Sequence, residues 1–186
     1  MELLLIRHGL SVGNAEGRLQ GQFDSALADQ GRQQARALAR RLVREEWSVS
    51  TVYSSDLSRA SETAEILAAS LDVATTLDAR LREYDFGALN GVIWREVQVL
   101  HPEIWQAHQR GEAWAPIPRE EGATAFHHRL AAALADIQAR HEAEDVIAVV
   151  THGGSLGMIM VHFLGMKIRR PTPLLFDNAS LSVVEI

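Results

Sequence analysis

The chain has no cysteine among its 186 residues. That excludes disulfides, thiolate nucleophiles and cysteine-ligated zinc, and it suits a reducing, cytoplasmic setting. Long apolar runs are also missing. The longest, Leu156 to Met166, is interrupted by His162 and falls well short of the ~20 residues that span a bilayer. The N-terminal apolar stretch stops at Arg7 and is preceded by Glu2, so it has neither the length nor the basic flank of a secretory signal. Positive charge is in deficit. A formal net charge of -6 argues against nucleic acid or an anionic membrane as partner. Any bound phosphate must therefore sit in a local cationic pocket. No Walker A or dinucleotide-binding glycine fingerprint is present. The chain reads as soluble and unprocessed.

What is there is ordinary in bulk: 47% hydrophobic and 23% charged residues, the balance of a globular protein. The length suits one domain spanning 1–186 better than two, and no repeat or linker divides it. Leu4-Leu5-Ile6-Arg7-His8-Gly9 and Val149-Val150-Thr151-His152-Gly153-Gly154 are each an apolar run ending on histidine and glycine. Such runs read as buried strands meeting tight turns. Val49 to Tyr53 is β-branched and aromatic, and Val146 to Val150 is apolar throughout, as in parallel strands covered on both faces.

Between the strands, three apolar stripes recur at helical spacing. They are Ala35, Leu38, Ala39, Leu42 and Val43; Leu57, Ala60, Ala64, Leu67, Ala68 and Leu71; and Phe126, Leu130, Ala133, Leu134 and Ile137. Residues 155–164 are apolar nearly all round and read as a core helix. Strands alternating with helices imply a three-layer α/β/α domain with a mostly parallel central sheet. Asp177-Asn178-Ala179-Ser180 is a turn cluster before a last strand, Leu181 to Ile186. The stretch 84–120 breaks the rhythm. It carries Trp94, Trp105 and Trp114 with Pro102, Pro116 and Pro118, and reads as a helical, lid-like excursion over the active edge.

Two parallel strands in one sheet would bring His8 and His152 to the same edge, where open α/β sheets hold ligands. Other residues gather around that expectation. Arg59 falls in the first turn after a strand, where a helix N-terminus favours anions. Glu83 sits in a loop with Tyr84, Phe86 and Gly87. His152-Gly153-Gly154 opens a helix with free N–H groups, and Asn14 and Gln20 lie in a polar, glycine-containing loop.

In order along the chain, these segments resemble the histidine phosphatase superfamily, in its phosphoglycerate mutase-like branch. The resemblance runs through Leu5-Ile6-Arg7-His8-Gly9, Gln20-Gly21-Gln22-Phe23-Asp24, Gly31-Arg32-Gln33-Gln34-Ala35, Ser55-Asp56-Leu57 with Arg59-Ala60, Glu83 with Phe86-Gly87, and Thr151-His152-Gly153-Gly154. It implies that His8 takes the phosphoryl group as phosphohistidine. Arg7, Arg59 and His152 would surround its equatorial oxygens, and Glu83 would protonate the leaving oxygen and then activate water. Asn14, Gln20, Gly21 and Gly153 would complete the phosphate site. Neither metal nor cofactor is implied.

The expected partner is a small-molecule phosphate monoester, and self-association as a homodimer stays open. The chemistry asks for a neutral His8 and a protonated His152, two environments that separate ordinary values near 6.5.

Three departures from the family pattern stand out. Ala26-Leu27-Ala28 replaces Pro-Leu-Thr, with Asp29 as a substitute helix cap. Leu89-Asn90-Gly91 replaces a segment with glutamate, and Gly122-Ala123-Thr124 replaces Gly-Glu-Ser. Between Glu83 and His152 there is no lysine and no arginine pair, only scattered Arg95, Arg110, Arg119, Arg129 and Arg140. A mutase needs a second cationic site to retain its bisphosphate intermediate, so phosphatase chemistry is favoured over mutase chemistry. The tryptophans suggest either an apolar substrate contact or simple anchors for the excursion.

Gly153-Gly154-Ser155-Leu156-Gly157 matches the serine-hydrolase elbow, but no acid followed by histidine comes after it in the required order. His127 with His128, and His101 with His108, lack a third metal ligand at suitable spacing. A non-catalytic phospho-ligand binder would be expected to lose His8 or Glu83, and both are present.

Overall fold

The computed structural model describes residues 1–110, 116–168 and 174–186. In chain order the elements are β1 (Glu2–Arg7), α1 (Val12–Ala15), β2 (Arg18–Leu19), α2 (Asp29–Arg44), β3 (Val49–Ser54), α3 (Ser58–Leu71), β4 (Thr75–Leu77), β5 (Val92–Ile93), α4 (Trp94–Leu100), α5 (Pro102–Gln109), α6 (Ala123–Gln138), β6 (Val146–Thr151), α7 (Gly153–Phe163) and β7 (Leu181–Glu185). The main sheet runs β4-β3-β6-β1-β7. Its first four strands are parallel and only β7 is antiparallel, along the β1 edge.

Strand periodicity explains the three layers. In β1, Leu3 and Leu5 face one core with Ile147 and Val149 of β6, under α6 and α7. Leu4 and Ile6 face the opposite core with Ala148 and Val150, under α2 and α3. Alternate side chains of a strand point to opposite faces, so a continuous apolar run is what a strand covered on both faces requires. Most residues of the predicted helical stripes lie in these two cores; Ala35 and Leu57 are buried outside them and Val43 is exposed. The expected cap at Asp29 is not made: α2 starts at Asp29 behind Ala28 with no side-chain cap, and the Asp29 carboxylate pairs with Arg32 at 3.0 Å.

The excursion is helical, as expected, and contains α4 and α5. It closes around its own small core of Leu89, Val97, Ile104 and Ile117. A two-stranded ladder of β2 with β5 joins it to the first loop. Trp94 and Trp105 stack at 5.6 Å between centroids, while Trp114 lies outside the described residues. No described helix is long and apolar enough to cross a membrane.

β1 and β6 pair in register, Arg7 opposite Thr151, so the next residue of each strand is a histidine. The chain then leaves β1 through a very close approach. A Cβ on Gly31 would fall 2.1 Å from the Leu10 carbonyl oxygen, and one on Gly9 would fall 2.5 Å from that of Gly31. Alanine within a helix is normally better than glycine by about 1 kcal/mol. Here Gly31→Ala must push two backbones apart, and we expect a net loss of about 2 kcal/mol, lowering Tm by about 4–8 °C. A thermal melt with unchanged or raised Tm would contradict this reading of the contact.

Candidate active site

His8 and His152 are both buried, and their rings lie 5.1 Å apart in an edge-on arrangement. His8 Nδ1 is 2.6 Å from the carbonyl oxygen of Gly9. A carbonyl can only accept, so Nδ1 carries the proton and Nε2 keeps the lone pair. His152 Nε2 is 2.8 Å from Ser55 Oγ, which itself accepts from Leu57 N–H at 3.3 Å. The Ser55 hydroxyl hydrogen is then available to Nε2. That leaves the His152 ring hydrogen at Nδ1, a buried atom with no partner.

Arg7 and Arg59 stand over this pair. Arg59 is 1% exposed and donates to the backbone oxygens of Phe23 at 2.9 Å and Gly21 at 2.7 Å. Gly21 turns its carbonyl this way at φ 52°, and a Cβ there would strike Asn90 and Phe86. Arg7 donates to the Phe176 oxygen at 2.5 Å. Among the described residues neither guanidinium has a carboxylate in salt-bridge contact, and the Nε of each is buried and unpartnered. Burial holds both below the usual arginine range, Arg59 down to about 10. Nearby Glu83 works in the opposite direction on both.

The other expected residues converge on one cavity of about 320 Å³, lined by Arg7, His8, Asn14, Gln20, Gly21, Arg59, Glu83 and Gly153 among others. Asn14 lies in the one-turn helix α1, not in a loop. Its Oδ1 lies 2.9 Å from the Ser11 hydroxyl oxygen and accepts from Asn178 Nδ2 at 3.3 Å, which leaves its own Nδ2 as a donor for the cavity. Gln20 Oε1 lies 2.7 Å from the same Ser11 oxygen, whose single hydrogen serves one of the two acceptors.

The helix N-termini differ from expectation. Asp24 takes the amide of Ser58 at 2.8 Å, at the start of α3. At α7, Gly154 N–H donates to Glu83 Oε2 at 2.8 Å, and Tyr84 N–H donates to Glu83 Oε1 at 2.8 Å. The protein's own carboxylates occupy amides that looked free for substrate.

Of the two roles open to the tryptophans, Trp94 and Trp105 take that of anchors. Neither Trp94 nor Trp105 lines the cavity. Its apolar wall is built from Leu19, Tyr84, Phe86, Phe126, Met158, Leu174, Leu175 and Phe176. Ser155 is buried and donates to the Arg82 carbonyl at 3.0 Å, the role of a tether and not of a nucleophile. His162 pairs instead with His127, at 3.3 Å. Among the described residues no group of three or more potential ligands is placed to hold a metal ion.

Sequence reasoning missed Ser55, Asn178 and Arg129. Asn178 also donates to the His8 carbonyl at 3.1 Å. Its place in a turn cluster gave no signal that it meets β1.

A three-layer α/β domain with a buried histidine pair, caged by guanidinium groups at the carboxyl ends of its central strands, defines a site for an anionic group. The chain belongs to the histidine phosphatase superfamily (branch 1), whose family model matches residues 3–186. It is 41% identical to phosphoglycerate mutase-like protein 4 of Arabidopsis thaliana over 82% of this chain and 66% of that protein. With a metal-independent phosphoserine phosphatase of the same plant it shares 38% identity over the whole chain and 76% of that protein. The solved YhfR protein of Bacillus stearothermophilus superposes with a TM-score of 0.88 at 32% identity, covering 100% of this chain and 91% of that one.

Burial, then Arg59, holds both imidazoles well below 6.5, and His8 further depresses His152. In the unfolded chain each takes a proton near pH 6.5; in the fold each stays neutral. The unfolded state therefore binds more protons below about pH 6.5, and stability present above that pH is lost as pH falls. Each histidine contributes a slope of about 1.4 kcal/mol per pH unit over that range. A His8→Asn/His152→Asn variant should lose less Tm than wild type between pH 6.5 and 5. Parallel Tm–pH curves would refute the assignment.

Proposed function

We propose that the chain is a metal-independent phosphatase that hydrolyses phosphate monoesters through a phosphohistidine on His8. The observation that carries this reading is the convergence of Arg7, His8, Arg59 and Glu83 on one cavity, with Arg7 Nε, Arg59 Nε and His152 Nδ1 among the buried polar atoms that have no partner. Buried polar groups are normally satisfied, and three phosphoryl oxygens would satisfy these.

His8 Nε2 attacks phosphorus and the P–O ester bond breaks. The fixed positive groups stabilise the charge spread over the phosphoryl oxygens. The leaving oxygen takes a proton from the Glu83 carboxyl. A water then gives its proton to Glu83 and attacks phosphorus, and the P–N bond breaks to restore neutral His8 and release phosphate. His152, neutral in the empty site, donates from Nδ1.

A hydrolase is favoured over a mutase because the segment between Glu83 and His152 holds no lysine and no arginine pair for a second anionic group. Arg18, the remaining arginine of the cavity lining, donates to Glu16 at 2.5 Å and to the Gly91 oxygen at 2.8 Å. The apolar wall supports an ester whose alcohol part is apolar or aromatic. The absence of cysteine supports a cytoplasmic setting.

The test is a panel of phosphate esters assayed with EDTA, including p-nitrophenyl phosphate, phosphoserine and 3-phosphoglycerate, with a bisphosphate-primed mutase assay beside it. We expect turnover in EDTA that falls by at least about 10³-fold in His8→Ala, and an acid-labile phosphoryl adduct on quenching wild type. Turnover that survives in His8→Ala defeats the mechanism. In the same panel p-nitrophenyl phosphate should exceed 3-phosphoglycerate in kcat/KM, and a strong preference for the latter defeats the apolar-substrate reading.

A further inference from the structure

Glu83 belongs to no strand or helix. It follows a 3₁₀ turn, Ala79–Leu81, and the carbonyls of its segment have no sheet ladder to bind. Side chains from three other elements take them. Arg129 Nη1 of α6 donates to the oxygens of Arg80 and Arg82, both at 2.7 Å, and its Nη2 donates to that of Glu83 at 2.8 Å. The Thr151 hydroxyl takes the Leu81 oxygen at 2.6 Å, and the Ser155 hydroxyl takes that of Arg82 at 3.0 Å. Four successive carbonyls are thus fixed by side-chain donors, three of them by one guanidinium.

The far edge of that guanidinium is also engaged. Arg129 Nε and Nη2 donate to the two oxygens of Glu121, at 2.9 and 2.8 Å. Its plane lies 4.7 Å from the centroid of the Phe126 ring, part of the cavity wall. These five hydrogen bonds draw on all three guanidinium nitrogens, and the rigid planar fork is what allows one residue to do this; an ammonium cannot reproduce it. Yet Arg129 does not line the cavity.

From this arrangement we infer that Arg129 is a positioning residue for Glu83, setting the carboxyl where it meets the leaving oxygen of the ester. The inference rests on the phosphatase reading above. It separates two parts of the site. The phosphate cage of Arg7, His8, Arg59 and His152 is held by β1, α3 and β6. Proton delivery is held by Arg129, and a displacement of about 1 Å in such a group can cost about 10²-fold in rate.

The separating readout is the leaving group. p-Nitrophenolate departs without a proton, whereas an alkoxide needs one. Values of kcat/KM cover only the steps up to alcohol release, so the later role of Glu83 toward water does not enter. In Arg129→Gln we expect kcat/KM for butyl phosphate to fall about 100-fold and that for p-nitrophenyl phosphate to fall less than about 10-fold. Glu83→Gln should show the same selectivity. The double variant should match Glu83→Gln alone within about 3-fold on butyl phosphate, because both changes remove one function.

Arg129→Lys, which keeps the charge and loses the fork, should resemble Arg129→Gln. Circular dichroism and Tm establish that each variant is folded. If Arg129→Gln is not, Glu121→Gln carries the same comparison with the arginine retained. Equal losses on the two esters, or multiplicative losses in the double variant, overturn the positioning role. Wild-type turnover that is absent or independent of His8 would instead sink the phosphatase reading itself.

Discussion

Burying a guanidinium with no carboxylate in contact costs several kcal/mol even after structural relaxation, and this chain does it at Arg59, beside a half-buried Arg7. Arg59 is 1% exposed and bonded only to neutral carbonyls; Arg7 is held the same way by Phe176. Carbonyl acceptors orient a cation without cancelling its charge. The fold must therefore supply stability elsewhere and aim backbone oxygens inward. The left-handed Gly21 and the Gly9–Gly31 contact are the local geometry that this demands. An anion entering the cavity meets charge that is already desolvated and fixed, the condition under which electrostatic stabilisation is strongest.

The same field explains the histidines. A protonated imidazole beside Arg7 and Arg59 would add a third positive charge to a site where neither arginine has a carboxylate in salt-bridge contact. Both rings are consequently held well below the ordinary imidazole range, and the Gly9 carbonyl leaves the lone pair of His8 on Nε2. Sequence reasoning asked for a protonated His152 by considering the reaction alone. It did not weigh the burial and the arginine charges that act on both rings.

What could be read from the residues was whatever local pattern controls. Apolar runs ending in His-Gly located β1 and β6, and parallel pairing then forced His8 and His152 together. Stripes at helical spacing gave the two cores. Arg59 and Glu83 were reachable through their segments and the family resemblance. Arg129, Ser55 and Asn178 were not, because their partners are backbone carbonyls or single side chains 46 to 170 positions away, and no periodicity encodes such contacts. For Trp94 and Trp105 the residues left two roles open for a related reason. Aromatic content signals burial, but whether a ring faces a ligand or another ring is set by tertiary packing, and here they face each other.

Glu83 shows how the acid and the cage coexist. Its charge acts on both Arg7 and Arg59, so the nearest favourable move for a free side chain would be to collapse onto one of them. That would fill the anion site with the enzyme's own carboxylate. The structure opposes the collapse at both ends of the residue. The amides of Gly154 and Tyr84 hold the carboxylate, and only a glycine at 154 permits that approach, since a Cβ there would lie 2.5 Å from Glu83 Oε1. Arg129 holds the carbonyl. A cage of uncompensated cations can stay empty beside an acid only if the acid is tethered. The dense bonding around residues 80–83 is thus the counterpart of the unpaired donors around residue 8, two consequences of one electrostatic requirement.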